Sequence, residues 1–149
     1  MNRRPAACFD FDGTLAKTRS GQTFAKHPMD WQWLHPNVPQ VLQNISKNNY
    51  RLIIFSNQRV KFKAATIKNA VDELGVPMEI FIAFEKERKK PNKNMYDEAF
   101  KGKTHPEGSF YVGDALGRPG DWSDVDLKFA KACGLPVCDP ETFFGIPPN

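Results

Sequence analysis

Short runs rich in β-branched and aromatic residues alternate along this chain with segments of helical periodicity, and few compact folds accommodate that order. The strand-like runs are Ala6–Asp12, Arg51–Asn57, Glu79–Phe84, Ser109–Asp114 and a short Pro136–Asp139, each bounded by Gly, Pro, Asn or charge. Between them Val38, Val41, Leu42 and Ile45 recur at helical spacing after Pro36-Asn37, and Val60, Ala64, Ile67, Val71 and Leu74 do so ahead of Gly75. These stripes read as core. The alternation predicts an α/β fold with a central, mainly parallel sheet and helices on both faces. The segment from Ala16 to Pro36 lacks a clear period and contains Gly, Pro, aromatics and charge, so it reads as a folded-over flap and not as a large cap domain.

A length of 149 residues suits one domain, 1–149, large enough for a real core. Hydrophobic residues make up 40% and aromatics 12%, which excludes a disordered chain. No run of about 18 apolar residues exists, and the start MNRRPAACFDFDGT lacks a secretion signal. The expectation is an intracellular protein of nucleus or cytoplasm, neither secreted nor membrane-bound, and a monomer. Cys8, Cys133 and Cys138 are odd in number and suggest neither a disulfide framework nor a zinc site. His27, His35 and His105 read as surface residues. The net charge of +4 is modest, but Lys86, Arg88, Lys89, Lys90, Lys93, Lys101 and Lys103 crowd one stretch and Arg59, Lys61 and Lys63 another. Such runs suit either a polyanion-binding face or a solvated surface.

Polar groups gather where the strands end. Asp10-Phe-Asp12-Gly13-Thr14 closes the first run, Ser56-Asn57-Gln58 the second and Gly113-Asp114 the fourth. Ligands of open parallel sheets bind beyond the carboxyl ends of the strands, so this clustering points to a site. Two carboxylates at spacing two on a strand face one side, with Phe11 opposite, and Gly13 lets the chain turn away. A plain Asp-Gly turn with Asp10 on the surface is the alternative.

With Asp10-Phe11-Asp12-Gly13-Thr14, then Ser56, then Lys90 ahead of Pro91, then Gly113-Asp114, the sequence resembles the haloacid dehalogenase superfamily of phosphatases. That resemblance implies a Rossmann-like fold and a covalent mechanism. Asp10 is the nucleophile that forms an aspartyl-phosphate, and Asp12 is the acid and then the base. Ser56 and Lys90 stabilise the phosphoryl group, and Mg²⁺ is held by the Asp10 carboxylate, the Asp12 backbone carbonyl and the Asp114 carboxylate. A residue before proline favours extended geometry, which would help aim Lys90; membership in a solvated basic run is its alternative. Ser56 could instead cap the following helix. Asp126, in Asp121-Trp-Ser-Asp-Val-Asp126, is assigned as a supporting acid, although Ser123-x-x-Asp126 also matches a helix-capping pattern; Asp124 is its neighbour in that pattern.

Further stretches resemble the 3′-phosphatase domains of polynucleotide kinase phosphatases: Thr18-Arg-Ser-Gly21, Leu34-His-Pro-Asn-Val-Pro39, Ile54-Phe-Ser-Asn-Gln58 and Phe110-Tyr-Val-Gly-Asp-Ala-Leu-Gly-Arg-Pro119. The resemblance implies DNA 3′ ends as substrate in DNA repair, with Thr14, Arg19, Asn57, Gln58 and Arg118 as substrate-binding residues. The stretch after Gln58 is shorter than in that family, and Leu127 stands where the family has Arg. Gly102-Lys103-Thr104 lacks the upstream glycine of a phosphate-binding loop, so no ATP use is expected. Without a lid, a DNA terminus can itself cover the mouth of the site. Trp31, Trp33 and Trp122 could stack on bases or pack in core and flap. A phosphatase for histidinol phosphate or heptose bisphosphate, and a non-catalytic DNA-end-binding module, are the alternatives.

Overall fold

The computed structural model describes residues 3–148. The main sheet has five strands in the order β5-β4-β1-β6-β7. They are β1 (Ala6–Phe9), β4 (Arg51–Asn57), β5 (Glu79–Ala83), β6 (Phe110–Val112) and β7 (Val137–Cys138), and every pairing is parallel. Strand β1 is central, between β4 and β6. The chain first builds outward through β4 and β5, then crosses to β6 and β7 on the other side. That reversal opens a crevice at the carboxyl end of β1.

Period-two alternation in the central strands divides the core into two layers. Ala7 and Phe9 of β1 and Leu52 and Ile54 of β4 face one side. There they meet Val38 and Leu42 of α1 (Asn37–Lys47), Ile67, Ala70 and Leu74 of α2 (Lys63–Leu74), and Phe144 of α5 (Pro140–Phe144). Ala6, Cys8, Ile53 and Phe55 face the other, against Met95, Tyr96 and Phe100 of α3 (Asn94–Phe100) and Phe129 and Ala130 of α4 (Val125–Cys133). Helices thus cover both faces, as a fully buried parallel sheet requires. Gly75 and Gly134 end α2 and α4 in the left-handed region, where a side chain would be strained.

The flap is an antiparallel pair, β2 (Ala16–Lys17) with β3 (Gln32–Trp33), and the loop between them. Asp30 fastens that loop by accepting from the Ser20 N–H at 2.8 Å and the Ser20 hydroxyl at 2.7 Å. Trp31 is buried, its indole N–H donating to Asn69 Oδ1 at 3.0 Å, and Trp33 packs edge-on against it.

Some sequence expectations need correction. Strand β1 ends at Phe9, so Asp10 and Asp12 lie beyond the ladder; the Phe11 carbonyl accepts from the N–H groups of Thr14, Leu15 and Ala16 and turns the chain at once. Val60 is not in a core stripe, because α2 begins only at Lys63 and Val60 is exposed. The stretch crowded with basic residues from Lys86 to Lys103 also contains α3, whose Met95, Tyr96, Ala99 and Phe100 are buried. His105 is not a free surface group but pairs with the Tyr96 hydroxyl at 2.7 Å.

Candidate active site

Beyond β1 the turn delivers Asp10 into the crevice, while β6 delivers Asp114 and the first turn of α4 delivers Asp126. Each of these carboxylates offers an oxygen within 4.8 Å of the others. Two glycines allow this approach. A Cβ on Gly13, where φ is +79°, would lie 2.3 Å from Asp114 Oδ2, and one on Gly113 would lie 2.6 Å from the Asp126 carboxyl carbon.

Lys90 is the cation among them. Its Nζ donates to Asp10 at 3.1 Å, Asp126 at 2.9 Å and the Tyr111 hydroxyl at 2.8 Å, and the side chain is 2% exposed. The Tyr111 hydroxyl in turn donates to Asp126 Oδ1, whose Oδ2 accepts from the Ala115 N–H at 3.1 Å. Asp126 therefore has both oxygens engaged. It does not close a capping box; Ser123 Oγ accepts from the Val125 N–H instead. Asn57 clamps the backbone of Lys90, donating to its carbonyl at 3.0 Å and accepting from its N–H at 2.8 Å.

Three buried or half-buried carboxylates face one ammonium, and the protonation equilibria reflect the imbalance. Burial raises Asp10 well above the ordinary carboxylate range; Lys90 pulls it back, while Asp126 and Asp114 push it further up. Burial likewise raises Asp114. Burial opposes the charge on Lys90, but Asp10 and Asp126 outweigh it and hold the ammonium firmly protonated. A hard divalent cation with oxygen ligands suits this excess of negative charge, and the donor set contains no thiolate or imidazole. Asp10 and Asp114 are the carboxylates with capacity left to bind one. Thr14, fully buried, donates to Asp114 Oδ1 at 3.3 Å and so helps orient that carboxylate.

Asp12 stands apart from the three. Its half-exposed carboxylate accepts from Lys63 Nζ at 2.7 Å and from Gln58 Nε2 at 2.7 Å. Gln58 also donates to Ser56 Oγ at 2.8 Å, tying the end of β4 to Asp12. Ser56 is buried inside β4 and caps no helix. The structure brings Asp10, Lys90, Asp114 and Asp126 together at one crevice and ties Ser56 to Asp12 through Gln58. Asn57 and Gln58, expected to bind substrate, are bonded within the protein to Lys90 and to Asp12 and Ser56. The sequence reading missed Tyr111 and the pairing of Lys63 with Asp12. An aromatic one position before Val112 in β6 was the available signal for the first.

The remaining expected contacts are arranged differently. Arg118 donates to Asp121 at 2.9 and 3.2 Å, to Glu141 at 3.1 Å and to the Asp114 carbonyl at 3.1 Å, so its donors are committed within the protein. Arg19 is exposed on the flap, beside Ser20, His27, Met29 and Asp30. Arg88 makes a two-pronged pair with Glu98 at 2.7 and 3.0 Å. Arg59 lies over the exposed Phe24 ring and Lys61 over Phe84. All three cysteines are free. Among the described residues no helix is long and apolar enough to cross a membrane.

Residues 5–144 match the sequence model of the family described as "Polynucleotide kinase 3 phosphatase". A "Bifunctional polynucleotide phosphatase/kinase" of Schizosaccharomyces pombe is 40% identical over 95% of this chain, and a "Polynucleotide 3′-phosphatase ZDP" of Arabidopsis thaliana is 32% identical over 93%. The chain spans 38% and 24% of the lengths of those two relatives. The fold is also that of a D,D-heptose 1,7-bisphosphate phosphatase from B. bronchiseptica, solved with magnesium and phosphate. The TM-score is 0.66 at 19% identity, over 89% of this chain and 78% of the other.

Proposed function

Because the chain belongs to the polynucleotide kinase 3 phosphatase family, we propose that it removes the 3′-phosphate from DNA ends inside the cell, with all its catalytic groups in one domain. The observation that carries this reading is the crevice at the end of β1, where Asp10 lies 3.1 Å from a buried Lys90 beside Asp114. An Asp carboxylate placed against a cation at a sheet's switch point suits nucleophilic attack on an anionic phosphate.

Asp10 attacks phosphorus, and the bond from phosphorus to the 3′ oxygen of the sugar breaks. Asp12, entering as the carboxylic acid, gives that oxygen a proton and becomes the carboxylate; its side chain is half-exposed, so a leaving group can reach it. The resulting aspartyl-phosphate is opened by water, whose proton returns to Asp12, releasing phosphate and restoring Asp10. Lys90 offsets negative charge on the transferring group, held in place by Asn57, Tyr111 and Asp126. Ser56 supplies a hydroxyl to a phosphate oxygen while its own oxygen accepts from Gln58. Asp10, the Asp12 carbonyl and Asp114 would hold Mg²⁺, which would supply charge neutralisation that one lysine cannot.

The test is phosphate release from 3′- and 5′-phosphorylated oligonucleotides and from sugar phosphates, with Mg²⁺ and with chelator. The 3′-phosphorylated oligonucleotide should be the best substrate, and only with Mg²⁺. A sugar phosphate outperforming it would make the protein a small-molecule phosphatase. End binding without release from any substrate would make it a non-catalytic module.

A further inference from the structure

We infer that Trp122 is a stacking platform for a nucleobase near the 3′ terminus, so that this phosphatase grips its substrate by base as well as by phosphate; the inference rests on the DNA-end reading above. Of the three tryptophans, Trp31 and Trp33 belong to the packing of flap and core, whereas Trp122 is 79% exposed. An indole left in water forgoes the apolar burial that would otherwise stabilise the fold, so its position calls for a partner.

The backbone on either side of it is fastened with unusual thoroughness. Asp121 Oδ2 accepts from the N–H groups of Leu116 and Arg118 at 3.1 and 3.0 Å and from Arg118 Nε at 2.9 Å. The Ser123 carbonyl accepts from the Gly117 N–H at 3.1 Å, and Ser123 Oγ from the Val125 N–H at 3.0 Å. Both neighbours of Trp122 are therefore fixed while its ring is bare. A ring presented on a stiff loop loses little entropy when a partner stacks on it.

The loop is also anchored at both ends in the catalytic crevice. It leaves at Asp114 and returns at Asp126, whose N–H donates to the Ala115 carbonyl at 2.9 Å. One guanidinium, that of Arg118, touches the Asp114 carbonyl and the carboxylate of Asp121, the residue next to Trp122. The loop that carries the indole thus begins and ends at residues of the site that would hold the terminal phosphate. Charge around it selects which part of a nucleotide can approach. Arg118 is surrounded by Asp121, Asp139 and Glu141, leaving this part of the loop acidic and unfavourable to a backbone phosphate. A neutral base face meets no such repulsion, and stacking tolerates any base.

The experiment compares wild-type protein with Trp122→Ala and Trp122→Phe on a 3′-phosphorylated oligonucleotide and on an aryl phosphate. The ratio of the two kcat/KM values should fall on the order of tenfold in Trp122→Ala and recover largely in Trp122→Phe. Because Trp31 is buried and Trp33 is half-buried against it, wild-type tryptophan fluorescence should be quenched chiefly at Trp122 by a 3′-hydroxyl oligonucleotide, and less by one lacking its terminal bases. An unchanged ratio with undiminished quenching in Trp122→Ala, or equal losses on both substrates, overturns the inference and leaves the DNA-end reading standing. If wild-type protein shows no preference for the oligonucleotide over the aryl phosphate, the DNA-end reading fails and this inference falls with it.

Discussion

Lys90→Ala tests whether one buried ammonium holds the site together as well as serving the reaction. The substitution removes the donor to Asp10, Asp126 and Tyr111 from a position 2% exposed. Taking away one partner of a buried ion pair costs about 3–5 kcal/mol, because the remaining charge is left uncompensated in a poorly hydrated place. Two carboxylates lose a partner here, but Asp126 keeps the Tyr111 hydroxyl and the Ala115 N–H. A loss of about 4 kcal/mol near neutral pH is therefore expected, a large part of an ordinary domain's stability. The loss should depend on pH in a definite direction. In the wild-type fold Asp10 already sits above its ordinary range through burial, with Lys90 as the influence that lowers it, so removing Lys90 lets it rise further. A carboxyl raised in the folded state weakens the fold at pH above that raised value. The weakening is relieved as pH falls through it toward the unfolded value near about 4. Urea unfolding of both proteins in chelator, at about pH 7.5 and about pH 5, should show the deficit shrinking in acid. A deficit under about 1 kcal/mol, or one that does not change with pH, would refute the assignment of Lys90 as the counter-charge. Aryl phosphate hydrolysis should also drop by about a hundredfold or more, since no DNA contact is involved there.

Asp10→Asn should abolish turnover with the fold intact, and a loss of only about tenfold, some 1.4 kcal/mol of transition-state stabilisation, would sink the covalent mechanism. Gly13→Ala places a methyl 2.3 Å from Asp114 Oδ2 at a φ of +79°, so stability should fall by about 1–2 kcal/mol from backbone strain alone and Mg²⁺ affinity, read by calorimetry, should weaken. Wild-type Mg²⁺ affinity in that variant would contradict the close approach of the Gly13 turn to Asp114. Lys63→Ala frees one oxygen of Asp12, and the rate should drop more for the oligonucleotide 3′-phosphate than for a nitrophenyl phosphate, whose leaving group needs little protonation. Equal losses on the two substrates would show that Lys63 does not act through Asp12.

What could be read from the sequence is what depends on local pattern. The seven residues Arg51–Asn57 form β4 as expected, and Val38, Val41, Leu42 and Ile45 line the inner side of α1, because burial imposes a period that one chain segment records by itself. Asp10 and Asp114 were legible for a related reason: strand ends at a switch point gather whatever polar groups the chain carries there. The direction of Asp12 was not. It is set by Lys63, 51 residues away, and by a turn that begins as soon as β1 stops pairing at Phe9. Helix α3 was hidden for another reason, since its seven residues lie inside the basic run, between Lys93 and Lys101, and its apolar positions are too few to stand out.

Charge shows the same division between what a list of residues records and what a fold decides. Lys63 and Arg88 stood in two basic runs, Lys90 was expected to be catalytic and Arg118 to bind substrate, and each has an acidic partner within 3.1 Å. A guanidinium in a two-pronged carboxylate pair has spent its most directional donors, and a DNA phosphate would have to displace that carboxylate to use them. The exposed cations left to meet a backbone are Lys86, Lys93, Lys101 and Lys103 of the first run, Arg59 and Lys61 of the second, and Arg19 on the flap. On the proposed reading, a DNA 3′ end would combine backbone contacts from these exposed cations with its terminal phosphate in the Asp10, Asp114 and Lys90 crevice and a base face stacked on Trp122.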